Sequence, residues 1–336
     1  MLSTTYGDMA TSFLSLRNNL RLKTDLARLS QELASGQTAD LGAATGGDLG
    51  NYAGIENALS GLTAFRTSAS EAALFTQNVQ RSLESVQNTT SEIGPALLLA
   101  GSTQEATLIQ SAAADARAGF SSVVSILNTR VADRAILAGT ATGGTALANA
   151  EDMLTALQTA IAAETTAAGV ESVVDAWFDD PGGGFETIGY LGNTTELAAF
   201  RIGPDEAADL SLRADDPRLR EVLKGYAMAA LVADDALSGS HPERVALIET
   251  AATRLLGADR ALTELRAGVG TIEERIENAQ ARNGAEVSAL EIARSDILRV
   301  DPYRTATDLK TVEAQLQTLY AITARLSRLS LAEYLR

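Results

Sequence analysis

Cysteine is absent from this 336-residue sequence, and histidine occurs once, at His241. A chain without cysteine forms no disulfide, no thiolate nucleophile and no zinc–thiolate or iron–sulfur site. A single histidine also excludes a metal site built from two histidines of one chain. We therefore predict a protein that is not an enzyme and that has no catalytic, metal-binding or cofactor-binding residues.

Basic residues are scarce, because 27 Lys and Arg stand against 43 Asp and Glu and leave a net charge of −16. This balance argues against nucleic acid as a partner, since binding to a phosphate backbone needs clustered Lys and Arg. Long apolar runs are also missing: a run such as residues 96–100 is far shorter than the roughly 20 residues that span a bilayer. The first residues lack the basic and apolar parts of a cleaved signal peptide. We expect no membrane contact and no cleaved signal.

Aromatic residues make up only 4% of the chain, whereas hydrophobic residues make up 46% and are dominated by alanine and leucine. This mixture favours helix, because alanine loses no side-chain entropy there and leucine loses little. Apolar or small side chains also recur in alternating steps of four and three, the heptad pattern of packed helices. The first such seam consists of Phe65, Ala69, Ala72, Thr76, Val79, Leu83, Val86, Thr90, Ile93 and Leu97. It predicts a long helix that Pro95 kinks or ends near Ile93.

The heptad pattern resumes after this proline and returns in the C-terminal part of the chain. The resumed seam consists of Ile109, Ala113, Ala116, Phe120, Val123 and Leu127. The C-terminal seam consists of Leu255, Ala258, Leu262, Leu265, Val269, Ile272, Ile276 and Ala279. Because many of these positions are Ala or Thr, we expect the helices to approach one another closely.

Both ends of the chain carry further apolar stripes at helical spacing. The N-terminal stripe is Phe13, Leu16, Leu20, Leu26, Leu29 and Leu33, with a change of phase between Leu20 and Leu22. The C-terminal stripe is Leu309, Val312, Leu316, Leu319, Ile322, Leu326 and Leu329. Gly36 is expected to end the first helix, and Asp301-Pro302 to separate the last helix from the one before it.

The middle of the chain differs in charge and pattern. Residues 141–216 contain 14 acidic and two basic residues, a local net charge of −12. Weak alternation in 186–212 suggests short strands with turns, and 151–167 is predicted to be helical. The fold class is therefore mainly α: a long antiparallel helical rod or coiled-coil bundle built from both termini, with a small α+β insertion. We predict a terminal helical domain (1–40 with 301–336), a long-helix bundle (41–140 with 217–300) and an acidic, outward-facing insertion (141–216).

Isolated candidates for chemistry have simpler structural explanations. His241 has no evident catalytic partner and is predicted to be a helix cap or a surface residue. Residues 181–184 (PGGG) are followed by no Gly-Lys-Ser/Thr and are predicted to form a plain turn. The acidic pairs at 179–180 and 215–216 lack calcium-loop spacing and are predicted to be solvated turn acids.

The terminal stripes allow two interpretations. They are either the seam of an ordinary intramolecular bundle or an assembly interface that neighbouring subunits cover. Segment 1–40 has four basic and four acidic residues, and 301–336 has five and four, so neither end repels its copies. We favour the second interpretation, because the stripes lie at the two ends of the chain and because large aromatic residues are too scarce for a good isolated core. Heterologous helix contacts of this kind build rings and helical filaments.

Four short motifs resemble the bacterial flagellin family. Residues 29–36 (LSQELASG) resemble the Ser-Gly end of the family's first helix, and 136–140 (ILAGT) the segment that closes its central helical pair. Residues 190–193 (YLGN) resemble the entry to the strand region of its hook-associated branch. The C-terminus, 326–335 (LSRLSLAEYL), resembles the ending of the hook–filament junction proteins of that branch. Its matching positions are Leu329, Ser330, Leu331, Tyr334 and Leu335.

The resemblance implies a structural role in the bacterial flagellum, as a junction subunit between hook and filament. Members of this branch are exported without signal cleavage and form a ring through their terminal helices. The implied partners are further copies of the chain, a neighbouring hook-associated protein and flagellin. An export chaperone is predicted to mask the C-terminal stripe, because an uncovered leucine stripe promotes aggregation. The alternatives are a filament-forming flagellin or, less well supported, a cytoplasmic helical scaffold.

Overall fold

The computed structural model describes residues 3–334, and side chains at 10, 13–42 and 44–325 within them. In this part the order of elements begins α1 (Ser3–Ser35), α2 (Leu41–Ala44), α3 (Gly50–Thr103), α4 (Ala106–Leu127), β1 (Arg130–Val131) and β2 (Arg134–Ala135). It continues with α5 (Ala150–Ala160), α6 (Ala167–Asp179), a π-helical turn (Phe185–Gly189), β3 (Phe200–Arg201) and β4 (Ala207–Ala208). The last helices are α7 (Pro217–Ala233), α8 (His241–Leu298) and α9 (Pro302–Tyr334). The predicted mainly-α fold class is confirmed.

The helix boundaries follow local chemistry. Gly36, with a φ of 71°, follows the last residue of α1, and its backbone N–H donates to the Glu32 carbonyl. Asp301 caps α9, because its carboxylate accepts from the N–H of Tyr303 at 2.9 Å. Pro95 lies inside α3, and the helix continues to Thr103. The prediction that the helix could end near Ile93 is therefore wrong.

The chain divides into two compact units, Met1–Thr63 with Ala285–Arg336 (unit 1) and Ala64–Gly284 (unit 2). Helices α3 and α8 contribute residues to both. In unit 1, α1 packs against α9. In unit 2, α7 packs most extensively against α4, and also against α5 and α6.

Helix α7 forms the centre of the core of unit 2, since every residue from 222 to 232 is buried. Glycines allow its neighbours to approach closely. A Cβ at Gly119 of α4 would lie 2.5 Å from the Tyr226 ring, and one at Gly225 would lie 2.7 Å from Leu255 of α8. These close contacts depend on glycines that lie outside the predicted seams.

The middle segment differs in detail from its sequence-based prediction. The predicted helix over 151–167 is wrong at residues 161–166, because α5 ends at Ala160 and α6 begins at Ala167. Thr166 interrupts the pattern, since its hydroxyl accepts from the N–H of Gly169 and caps α6. The strands in the described residues form two antiparallel pairs, β1 with β2 and β3 with β4.

Candidate assembly interface

The two terminal helices share an apolar seam in unit 1. Leu29 of α1 and Leu316 of α9 are buried. Several neighbours at heptad spacing are half-buried: Leu22, Leu26, Leu309, Val312 and Leu319. Part of each terminal stripe is thus covered within the chain, as the intramolecular interpretation requires.

The N-terminal half of the α1 stripe lies on a different face of the helix. Phe13, Leu16 and Leu20 expose 67%, 63% and 60% of their surface. Leu20 precedes Leu29 by nine residues, which is about two and a half helical turns and places the two side chains on opposite sides. The phase change between Leu20 and Leu22 therefore separates an exposed face, which we call the outer face (Phe13, Leu16 and Leu20), from the seam with α9.

Two further residues of the predicted interface are exposed. Leu33 and Ile322 are exposed by 38% and 50%. The side chains of Leu326 and Leu329 lie outside the described residues. The same holds for the C-terminal motif, Leu329, Ser330, Leu331, Tyr334 and Leu335.

A groove runs beside the seam between α1 and α9, with a volume of about 740 Å³. Its apolar lining includes Leu22, Leu319 and Ile322. Arg21 and Lys310 also line it, so the groove has basic groups beside an apolar surface. An amphipathic helix with acidic residues beside its apolar stripe matches this chemistry.

In unit 2, two of the four family-like motifs meet. The N–H of Asn193 donates to the Ala138 carbonyl at 2.9 Å, and the N–H of Thr140 donates to the Thr195 carbonyl at 3.1 Å. Gly139 lies between them with a φ of 58°, and a Cβ there would be 2.2 Å from the Asn193 carbonyl oxygen. The Tyr190 hydroxyl donates to that same carbonyl at 3.0 Å. Segments 136–140 and 190–193, distant in sequence, thus form one structural junction.

An ion cluster joins the acidic middle segment to α7 and α8 in unit 2. The Lys224 ammonium, on a residue that is only 1% exposed, contacts Asp179 and, at 2.6 Å, Glu221. Arg254 of α8 contacts Asp175 at 2.6 Å and Glu171 at 2.8 Å. Burial alone would lower the pKa of Lys224, but its carboxylate partners outweigh burial and raise that pKa. Sequence reasoning missed this cluster, because the contacts of Lys224 and Arg254 with the acidic middle segment join residues that are 45 or more positions apart.

The isolated candidates have structural roles. The exposed His241 begins α8, and its Nε2 lies 2.8 Å from the Gln104 carbonyl oxygen. A Cβ on Gly184 would overlap the Trp177 ring, which explains a glycine at that place in the turn. The acidic pairs at 179–180 and 215–216 are predicted from the sequence to be solvated turn acids. This prediction is wrong in part, because Asp179 pairs with Lys224 and Asp216 caps α7.

The described residues include no group of three or more His, Asp and Glu side chains placed to hold a metal ion. None of the helices in the same part of the chain combines the length and the apolar character needed to cross a bilayer.

Comparisons with known proteins match the C-terminal region to a family profile and the fold to a solved structure. A family profile described as the bacterial flagellin C-terminal helical region matches residues 249–335. The crystal structure of FlgL from Bacillus cereus shares the fold, with a TM-score of 0.50 and 14% identity over 72% of this chain and all of that one. A putative flagellar hook-associated protein from Vibrio parahaemolyticus aligns with a TM-score of 0.45 and 12% identity, over 72% of this chain and 94% of its own. No curated protein sequence matches significantly. Residues 249–335 therefore resemble the C-terminal helical region of bacterial flagellins, and the chain has a fold similar to that of FlgL.

Proposed function

We propose that this protein is a structural subunit of the bacterial flagellum that joins hook to filament and assembles through its terminal helices. The observation that carries the proposal is the outer face of α1, where three large apolar side chains remain exposed opposite the seam with α9. Exposed apolar patches of this kind mark protein–protein interfaces. The match of residues 249–335 to the flagellin C-terminal helical region supports an interface between flagellar subunits.

Two features favour the junction over the filament. The fold is shared with FlgL, the hook-associated protein 3 of the flagellum, and the sequence LSRLSLAEYL at 326–335 resembles the ending of that branch. The filament subunit, flagellin, is the second candidate, because the C-terminal profile is that of flagellins.

The proposed partners are further copies of the chain in a ring, a neighbouring hook-associated protein and flagellin. The proposed layers are 1–40 with 301–336 innermost, 41–140 with 217–300 next, and the acidic segment 141–216 outward. Like charge on an outward segment favours solubility and discourages self-association there. The work of such a protein is assembly, without catalysis, in an extracellular location reached by export without a cleaved signal.

An export chaperone is proposed to cover α9 before assembly. The groove beside Leu319 and Ile322 supports this proposal, because its apolar lining and the basic Arg21 and Lys310 suit an amphipathic acidic helix. The test is the solubility of the full chain expressed with and without the chaperone. Equal solubility in both cases contradicts the proposal.

The junction role is tested by deletion of the gene and by labelling. We expect cells without the protein to keep their hooks and to release unassembled flagellin, while a labelled protein marks only the base of each filament. Normal filaments in the deletion strain contradict the junction role. Labelling along the whole filament instead supports the flagellin alternative.

The role of the outer face is tested in that deletion strain. Replacement of Phe13, Leu16 and Leu20 together by alanine is expected to abolish restoration of filaments and to leave unit 2 folded. The matched control is Leu98→Ala with Leu99→Ala, which removes two exposed leucines from α3 in unit 2. Full restoration by the triple variant contradicts assembly through this face.

A further inference from the structure

The segment that follows α1 lies beside the buried carboxylate of Glu32. We propose that Glu32 is the positioning residue that holds the segment after α1 in a backbone clasp with the α8–α9 connection. The clasp consists of residues 36–38 and 298–300, all within unit 1. Neither the family match nor the proposed function assigns a role to this residue.

Glu32 is only 4% exposed, and its carboxylate accepts four hydrogen bonds. Arg28, one turn earlier on the same helix, donates from Nη1 to both carboxylate oxygens at 3.1 Å. The backbone N–H of Ala39 donates to Oε1 at 3.0 Å, and the Thr38 hydroxyl donates to the same oxygen at 3.4 Å. Glu32 therefore reaches past the end of α1 and binds the segment that follows.

That segment pairs with the connection between α8 and α9. Thr38 donates its N–H to the Leu298 carbonyl at 2.8 Å, and Val300 donates its N–H to the Gly36 carbonyl at 3.1 Å. Gln37 and Arg299 face each other as an isolated antiparallel bridge. Two backbone hydrogen bonds of this kind are too few to hold a pair of strands together without support.

Glu32 supplies the support, because its bonds to Thr38 and Ala39 fix the direction in which the chain leaves the helix. The charged acceptor forms stronger hydrogen bonds than a neutral one, and Arg28 balances its buried charge. Leu29 lies three residues earlier on the same face of α1, so the clasp adjoins the α1–α9 seam. Glu32 thereby sets the register in which α1 meets the start of α9.

The consequence for assembly rests on the proposed function. A fixed register decides which faces of α1 and α9 are presented to neighbouring subunits. The outer face of α1 is then oriented by the clasp as well as by the apolar seam.

The test is amide hydrogen exchange of the isolated full chain, which gives an answer whether or not the protein functions in a flagellum. Glu32→Ala is expected to raise the exchange rates of the Thr38 and Val300 amides at least about tenfold. Glu32→Gln keeps an oxygen acceptor for Ala39 and loses the charge, so a smaller increase is expected. The matched control, Glu291→Ala, removes an exposed glutamate from α8 in the same unit and is expected to change neither amide.

Unchanged exchange at Thr38 and Val300 in Glu32→Ala overturns the proposal. So does an equal increase along the whole of α1 and α9, because it shows a general loss of stability instead of an open clasp. An increase confined to 36–40 and 298–300, partly reversed in Glu32→Gln, supports the positioning role.

Discussion

At the scale of single residues, Gly139 shows how one position can hold two distant segments together. Its φ of 58° is unfavourable for any residue with a side chain. A Cβ at this position would lie 2.2 Å from the Asn193 carbonyl oxygen and 2.6 Å from the Thr195 carbonyl oxygen, so only glycine leaves room for both. The motif at 136–140 could be recognised from sequence, but its contact with 193–195 could not, because no local pattern encodes that pairing.

Gly139→Ala is expected to lower the free energy of unfolding of unit 2 by about 2–4 kcal/mol. The new methyl group adds backbone strain and breaks the hydrogen bonds of Asn193 and Thr140 across the junction. Urea unfolding followed by the fluorescence of Trp177, the only tryptophan, measures the change. Gly143→Ala is the control, because a Cβ there has no neighbour within 4 Å. Equal stability of the two variants would contradict this account.

Two buried tyrosines give unit 2 a dependence on alkaline pH. Burial raises the pKa of Tyr190 and that of Tyr226 to about 12, from an ordinary value of 10. Between these values the unfolded chain ionises both phenols while the folded chain keeps them protonated. The free energy of unfolding therefore falls as pH rises from about 10 to 12, by up to about 1.4 kcal/mol per pH unit for each tyrosine.

The measurement is unfolding of unit 2 at pH 9, 10, 11 and 12. The double variant Tyr190→Phe with Tyr226→Phe is expected to flatten the decline over this range, whatever other groups titrate, because those groups are common to both proteins. Tyr303→Phe, which alters a tyrosine that is 85% exposed, is expected to leave the decline unchanged. A double variant with the same slope as the original protein would refute the assignment.

At the scale of elements, helices with one buried face could be predicted from the sequence, whereas the pattern of α7, the most buried helix, could not. All six seam positions of α4, from Ile109 to Leu127, are buried as the heptad predicts. Helix α7 carries no comparable pattern, because it is covered by α4, α5 and α6 on different sides. A helix that is buried all round has no polar face, and its sequence therefore shows no amphipathic period.

The terminal helices show a second limit of prediction from sequence. The stripe from Phe13 to Leu33 is one run of apolar residues in sequence, and yet it occupies two faces of α1 in the structure. Its phase change was visible, but which half meets α9 depends on the register between two helices far apart in the chain. The assignment of these residues to an assembly interface stays a prediction.

The contact of α6 with α7 and α8 depends on the ion cluster around Lys224. Lys224→Met is expected to cost about 1–3 kcal/mol of unfolding free energy, because Asp179 and Glu221 lose charge-assisted hydrogen bonds from a buried cation. The cost stays moderate because both carboxylates are partly exposed and keep Arg220 and Arg254 as partners. Urea unfolding of unit 2 measures the cost. Arg218→Met is the control, since Arg218 pairs with Asp216 near the surface and such pairs contribute at most about 1 kcal/mol. Similar costs for both variants would show that burial of the cluster has no special effect.

At the scale of the whole molecule, the net charge is distributed unevenly and partly neutralised. Residues 141–216 carry −12 of the total of −16. The charge total was readable from the sequence, but its neutralisation was not: Glu171, Asp175 and Asp179 lie against cations of α7 and α8. An acidic segment can thus be both a charged surface and part of the packing of its unit.

The two units differ sharply in their buried cores. In the described part of unit 1 the buried hydrophobic side chains are Leu29, Leu59, Leu62 and Leu316, whereas unit 2 holds the rest of the core. Local opening requires less free energy where fewer apolar contacts must be broken.

We therefore expect amides of α1 and α9 to exchange at least about a hundredfold faster than those of α7 in the isolated chain. Leu29→Ala should accelerate exchange in α1 and α9 alone, and Leu255→Ala should accelerate it in α7. Uniform protection along the chain, or acceleration of α7 by Leu29→Ala, would mean that the protein unfolds as one cooperative unit.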